Sequence, residues 1–100
     1  MINRTITIED VGEYSIFIKT EVPEQADLIS ISEKGVLDNW HMSKEIVKTE
    51  DGIIAYFDKK IDSVFKEGST HIISFFRTLH LKDMFGNAMN INVELDENLI

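Results

Sequence analysis

The three histidines, His41, His71 and His80, are the side chains best suited to metal binding or proton transfer. Imidazole is a common zinc ligand and a common general base. The spacings of the three match no zinc motif. If His71 and His80 lie on one strand, their odd and even positions place them on opposite faces of the sheet. The sequence therefore predicts structural or surface roles for them, with no catalytic residue and no metal site.

Oxygen-bearing side chains near the C-terminus raise the question of a calcium site. Asp83, Asn87 and Asp96 carry suitable oxygens, but their spacing does not satisfy an EF-hand loop, so ordinary turn chemistry is favoured. Ser69 and Ser74 lack the context of a nucleophile elbow. The chain has no cysteine, and its five glycines are scattered rather than gathered in a phosphate-binding loop. We therefore expect a protein that is not an enzyme and that holds no cofactor.

An aromatic cluster with an adjacent charge is the strongest candidate for a binding surface. Phe75 and Phe76 are neighbours on a predicted strand, so they face opposite sides of its sheet. Either both sides are covered, or one ring lies on the outer face near Tyr56 or Phe57. An exposed aromatic patch beside a charge is typical of interfaces. The predicted interface residues are Tyr56, Phe57, Phe75, Phe76 and Arg77.

The elements that must position these side chains are short strands, because apolar and polar residues alternate between turn residues. Seven such segments lie at 5–8, 14–19, 28–32, 45–48, 53–57, 70–81 and 90–95. Asp51-Gly52 predicts a hairpin in which both residues adopt positive φ. The last segment alternates throughout and should have one wet and one dry face. The pattern predicts an antiparallel β-sandwich.

Two segments leave room for helical structure. Val36, Leu37 and Trp40 fall at helical spacing, which fits either a one-turn helix or a loop that buries Trp40 in the core. The alternative fold is therefore α+β, with one short helix around residues 33–43. Residues 58–65 could hold a single helical turn.

Two turns of specific sequence enclose the penultimate predicted strand, over about residues 65–89. The turn Lys66-Glu67-Gly68-Ser69 leads into the penultimate strand, and Asp83-Met84-Phe85-Gly86-Asn87 leads into the last one. Asp83 can accept hydrogen bonds from the backbone that follows it, while Gly86 and Asn87 tolerate left-handed φ. This segment resembles the end of bacterial immunoglobulin-like domains, and the resemblance implies an immunoglobulin-like sandwich of about seven strands and an adhesive or structural role.

The size and net charge of the chain limit the kinds of partner that it can bind. One hundred residues fit a single domain, 1–100. The net charge is −8 with no basic stripe, which argues against nucleic acid. The N-terminus does not resemble a signal peptide, and no apolar run approaches the roughly 20 residues of a membrane span. We expect a cytoplasmic protein, or one assembled into a virion or other particle after cytoplasmic synthesis, with no membrane partner.

Two functions fit these observations. The first is a non-catalytic protein-binding or assembly module, such as a component of a bacterial or phage tail or baseplate, that binds a protein partner or itself. The second is a small acidic immunity protein that neutralises a basic toxin or nuclease, with its net charge steering the encounter.

Overall fold

The computed structural model describes residues 3–33 and 39–96, and these form eight β-strands. The strands are β1 (Asn3–Val11), β2 (Ser15–Lys19), β3 (Leu28–Ser32), β4 (Trp40–Met42), β5 (Glu45–Lys48), β6 (Gly52–Tyr56), β7 (Thr70–Lys82) and β8 (Ala88–Glu94). Neighbouring strands pair antiparallel throughout, and the described ranges contain no α-helix. The predicted all-β antiparallel fold is confirmed. No helix in these ranges has the length and apolar character needed to cross a bilayer.

The strands form two sheets joined through β1. The first sheet has the order β4-β3-β7-β1, and the second has the order β1-β2-β6-β5. The first part of β1 pairs with β7, whereas its last part pairs with β2. The register shifts between Ile8 and Asp10, which marks a bulge where the strand passes from one sheet to the other. In addition, β8 pairs with β7 in the first sheet.

The hydrophobic core is supplied by strands of both sheets and by the segment between β6 and β7. Alternating positions of β1 and β2 point inward, which is why their isoleucines are buried and the residues between them are not. A single turn places Phe65 in the core. In this turn the amides of Val64 and Phe65 both donate to the Ile61 carbonyl at 2.9 Å. The main core residues are Ile6, Ile8, Ile16, Ile18, Ile29, Ile31, Ile53, Ala55, Phe57, Ile61, Phe65, Ile73 and Phe75.

The segment around Trp40 differs from both sequence-based interpretations. Residues 40–42 form the edge strand β4, and Trp40 pairs with Ser32 rather than entering the core. The Trp40 side chain is 38% exposed. The predicted helix around 33–43 is therefore wrong for residues 40–42, while residues 34–38 lie outside the described ranges.

The hairpin predicted at Asp51-Gly52 is present, but its geometry is different. β5 pairs with β6, and the amide of Thr49 donates to the Gly52 carbonyl at 2.8 Å, so Glu50 and Asp51 are the central turn residues. Positive φ is found at neither Asp51 nor Gly52. Glycine is required for another reason, because a Cβ at residue 52 would lie 2.0 Å from the backbone oxygen of Ile18.

Candidate docking surface

The C-terminal half of β7 leaves the body of the molecule. Residues 70–76 of this 13-residue strand pair with β1 and β3, whereas residues 76–82 pair only with β8 among the described strands. A two-stranded ribbon, residues 77–93, therefore projects from one end of the sandwich. We call it the arm. The longest dimension of the molecule is 47 Å, against 30 and 28 Å across it.

The two faces of the arm differ sharply in polarity. Leu79 is paired with Ile91 and Leu81 with Met89, and Val93 continues the row at the base of the arm, where its partner is the exposed Arg77. The five hydrophobic residues of this row form the apolar face of the arm. They have the same strand parity as Phe75, so the apolar face continues the core-facing side of the first sheet. The opposite face carries Thr78, His80, Asn90 and Asn92, which form cross-strand hydrogen bonds of 2.9–3.0 Å.

The apolar face is open to solvent, although its sequence pattern is that of a buried face. Leu81, Met89, Ile91 and Val93 are each between 38% and 44% exposed. The last strand therefore has the predicted alternation, but its expected dry face is not covered by the described residues. An uncovered apolar sheet face of this kind is typical of a binding surface.

The tip of the arm presents two large hydrophobic side chains on a rigid turn. Met84 and Phe85 are 89% and 82% exposed. The Asp83 carboxylate accepts from the amides of Phe85 (2.8 Å) and Asn87 (2.9 Å), and Gly86 has φ +82°, as the sequence predicts for these two residues. The hydrogen bond from the Asn87 amide is the main reason that the pKa of Asp83 is below its ordinary value. The turn thus holds Phe85 in a defined position.

A second apolar surface lies on the body. Trp40 and Met42, 38% and 42% exposed, stand at the rim of a cavity of about 260 Å³ that has Phe57 and Ile61 among its lining residues. We call this cavity the Trp40 pocket; its full lining is Trp40, His41, Met42, Phe57, Asp58, Lys59 and Ile61. A neighbouring cavity shares Phe57 and Asp58 with it and is also lined by Tyr14, Lys44 and Tyr56.

The residues predicted as one interface are divided among three places. Phe57 and Phe75 are core residues, 4% and 0% exposed, so they are not available to a partner as surface side chains. Tyr56 is half-buried beside the Trp40 pocket. Phe76 is half-buried at the base of the arm, where it pairs with Leu28 and Glu94, and the adjacent Arg77 is exposed. These five side chains therefore do not form one aromatic patch.

Sequence reasoning missed the arm itself. Two features of the sequence point to the arm. The predicted strand 70–81 is more than twice as long as most others, and Met84-Phe85 lies inside a turn, where polar residues are usual. Neither signal reveals by itself that the second sheet ends before the arm begins.

The histidines do not converge. His41 and His71 each contact Phe65 edge-on, with ring centroids 5.4 and 4.8 Å from it, and His80 lies on the arm. His71 is buried, His80 is exposed, and their opposite strand parity agrees with the prediction. The described residues contain no group of three or more metal-ligating side chains. The candidate calcium residues are also apart, since Asp83 and Asn87 lie at the arm tip and Asp96 follows its base.

Ser69 and His71 have the separation of a nucleophile and its base. Ser69 Oγ lies 2.7 Å from His71 Nε2, and His71 Nδ1 lies 2.8 Å from the Ser32 carbonyl oxygen. Ser69 Oγ also lies 2.5 Å from the Lys66 carbonyl oxygen, within the turn before β7, so the His71 ring and this carbonyl compete for the one hydroxyl proton. Burial lowers the pKa of His71, against the smaller opposing effects of the Ser32 hydrogen bond and of Glu33. These contacts tie β3, the turn and β7 together.

Comparison of the chain with protein families, curated proteins and solved structures found no match. The immunoglobulin-like resemblance of residues 65–89 therefore stays a prediction.

Proposed function

We propose that this chain is a protein-docking module that acts in assembly, as a part of a larger bacterial or viral particle does, rather than a catalyst. The observation that carries the proposal is the arm, whose apolar face and tip are exposed together. Six of the ten exposed large hydrophobic side chains among the described residues belong to it: Leu81, Met84, Phe85, Met89, Ile91 and Val93.

The physical basis is burial of apolar surface. Fully burying one large apolar side chain contributes about 1.5–3 kcal/mol. Binding energy usually concentrates in a few well-packed anchors surrounded by weaker contacts. Phe85 fits the anchor role, because it is almost fully exposed and its turn is fixed by the Asp83 hydrogen bonds. Little ordering of the turn is then needed on docking, which reduces the entropic cost of binding.

Photo-crosslinking from the tip tests the proposal. A benzoylphenylalanine placed at position 85 should crosslink to a protein, either a second copy or another chain, when the protein is irradiated in its native host cells. The same probe at Val47, which is 46% exposed on β5, is the matched control. Adding Leu81→Thr and Ile91→Thr should remove the crosslink from position 85. A tip that yields no more protein adducts than position 47 contradicts the proposal.

The acidic-inhibitor hypothesis remains a second candidate, favoured by the net charge of −8. Its partner would be a basic protein bound through the acidic body. Crosslinking to a basic protein that persists after the Leu81→Thr and Ile91→Thr substitutions would support it over docking through the arm.

A further inference from the structure

We propose that the arm of one copy docks on the body of a second copy of this chain, with Phe85 seated in the Trp40 pocket. The inference rests on the proposed docking function and names its partner. It assigns the contact as head-to-tail, because the arm and the pocket lie at opposite ends of the molecule.

The strand register places the two surfaces at opposite ends. Trp40 pairs with Ser32, and Ser32 Oγ donates to the Ile72 carbonyl at 3.3 Å, so the pocket lies level with the beginning of β7. The arm continues β7 in the other direction as far as Lys82. At about 3.3 Å per residue, the ten residues between Ile72 and Lys82 span roughly 33 Å. The tip therefore cannot reach the pocket of its own chain.

The remaining exposed hydrophobic side chains identify the body surface that would receive the arm. Apart from the six on the arm, the exposed large hydrophobic side chains of the described residues are Tyr14, Trp40, Met42 and Val47. Trp40 and Met42 line the Trp40 pocket, and Tyr14 lines the cavity beside it. Nine of the ten thus belong to the arm or to these two adjoining cavities.

The size of the Trp40 pocket suits a phenyl ring, and the exposed Trp40 and Met42 at its rim provide apolar contacts. An enclosed apolar cavity of about 150 Å³ is known to bind benzene. The Trp40 pocket, at about 260 Å³, has room for a phenyl ring, but it is open to solvent and is also lined by the polar side chains of His41, Asp58 and Lys59. The apolar surface that an entering side chain would meet belongs mainly to Trp40 and Met42, because Phe57 and Ile61 are only 4% and 2% exposed. The Trp40 ring at the rim can pack against an aromatic side chain. Met42 adds an adaptable apolar contact.

Charge also favours the arm as the segment that approaches another copy. Residues 77–93 contain Arg77, Lys82 and a single acid, Asp83, and so carry a net charge of +1. Since the whole chain carries −8, the rest of it carries −9. The arm therefore adds no net repulsion where it meets the acidic body of another copy, although two whole copies repel each other.

Arm-to-arm packing is a weaker alternative, because the apolar face is small. A ribbon of two strands and six residue pairs is about 20 Å long and about 10 Å wide, so its face covers roughly 200 Å² in projection. A stable interface buries about 800 Å² on each partner. Docking against the body covers the tip as well as the apolar face.

A head-to-tail contact uses different surfaces on the two copies, so it is heterologous. Such contacts build rings when the rotation closes and open filaments when it does not. Self-assembly of either kind agrees with a structural role in a larger particle.

Sedimentation velocity over a range of concentrations tests the contact with three single variants. The unmodified chain should associate, and Phe85→Ser and Trp40→Ser should each weaken association at least about tenfold. Val47→Ser is the matched control and should associate like the unmodified chain. Circular dichroism of each variant verifies that the fold is retained.

Mixing the two defective variants separates head-to-tail docking from the alternatives. Phe85→Ser keeps an intact pocket and Trp40→Ser keeps an intact arm, so an equimolar mixture should form 1:1 dimers that do not grow further. Trp40 is the single tryptophan of the chain, and its emission in the Phe85→Ser variant should shift when the Trp40→Ser variant is added.

Three results overturn the inference: an unmodified chain that stays monomeric, a Trp40→Ser variant that associates normally, or a mixture that forms no dimer. If position 85 crosslinks to a different protein while the chain stays monomeric, docking through the arm stands and self-docking fails. If neither crosslinks nor association occur, both proposals fail.

Discussion

At the scale of single residues, His71 couples stability to pH. It is 2% exposed and bonded on both ring nitrogens, and burial holds its pKa below the ordinary 6.5. Below about pH 6.5 the unfolded chain therefore binds more protons at this residue than the folded chain does. The contribution of His71 to the free energy of unfolding is fully present above that pH. It is lost as the pH falls toward the lowered pKa of the folded state.

Unfolding by urea at about pH 7.5 and about pH 5.5 measures this coupling. The free energy of unfolding should fall with acidification less in His71→Gln than in the unmodified chain, because the variant has lost the titrating group. Ile73→Val, changed at a buried position of the same strand that cannot titrate, should keep the original pH dependence. Identical pH dependence in His71→Gln and the unmodified chain would show that His71 does not supply the coupling.

Gly52 is a second residue whose role is set by its surroundings. An added Cβ would lie 2.0 Å from Ile18 O and 2.8 Å from Lys19 Cα, both backbone atoms that cannot rotate away. Gly52→Ala should therefore lower the free energy of unfolding by about 1–3 kcal/mol, the usual cost of overpacking. Asp51→Ala in the same turn is the control and should cost less. If Gly52→Ala and Asp51→Ala lower the free energy of unfolding equally, the close approach of the Ile18 and Lys19 backbone does not explain the glycine at position 52.

At the scale of elements, the sequence predicts the strands well and their covering poorly. The alternation of β8 is the same whether its apolar side meets a second sheet or water, so local pattern cannot separate a core strand from half of an arm. The sequence likewise predicts that Phe75 and Phe76 lie on opposite faces of the sheet, but it does not predict which face is covered. Which ring is buried depends on where the second sheet lies.

The arm should contribute little to the stability of the body, because most side chains of its apolar face are exposed among the described residues. The double variant Leu81→Thr and Ile91→Thr keeps β-prone side chains and should change the free energy of unfolding by less than about 0.5 kcal/mol per site. Phe75→Ala, which truncates a fully buried ring, should cost about 3–5 kcal/mol. A loss above about 2 kcal/mol in the double variant would mean that the arm is packed against the body.

At the scale of the whole molecule, two properties act against each other. The exposed hydrophobic side chains at the two ends favour association, while a net charge of −8 on every copy opposes it. The net charge can be read from the sequence alone. The separation of the hydrophobic surfaces by the length of the molecule follows only from the register of β3, β4 and β7.

The sign of the salt dependence therefore distinguishes the two functions. Raising sodium chloride from about 0.01 M to about 0.1 M shortens the Debye length from about 30 Å to about 10 Å. Screening should strengthen association between copies that each carry −8, since apolar contacts are retained while repulsion falls. An acidic inhibitor bound to a basic toxin has the opposite dependence, because screening removes attraction. Sedimentation at both salt concentrations measures the effect, and self-association that weakens with salt would contradict docking through an apolar tip.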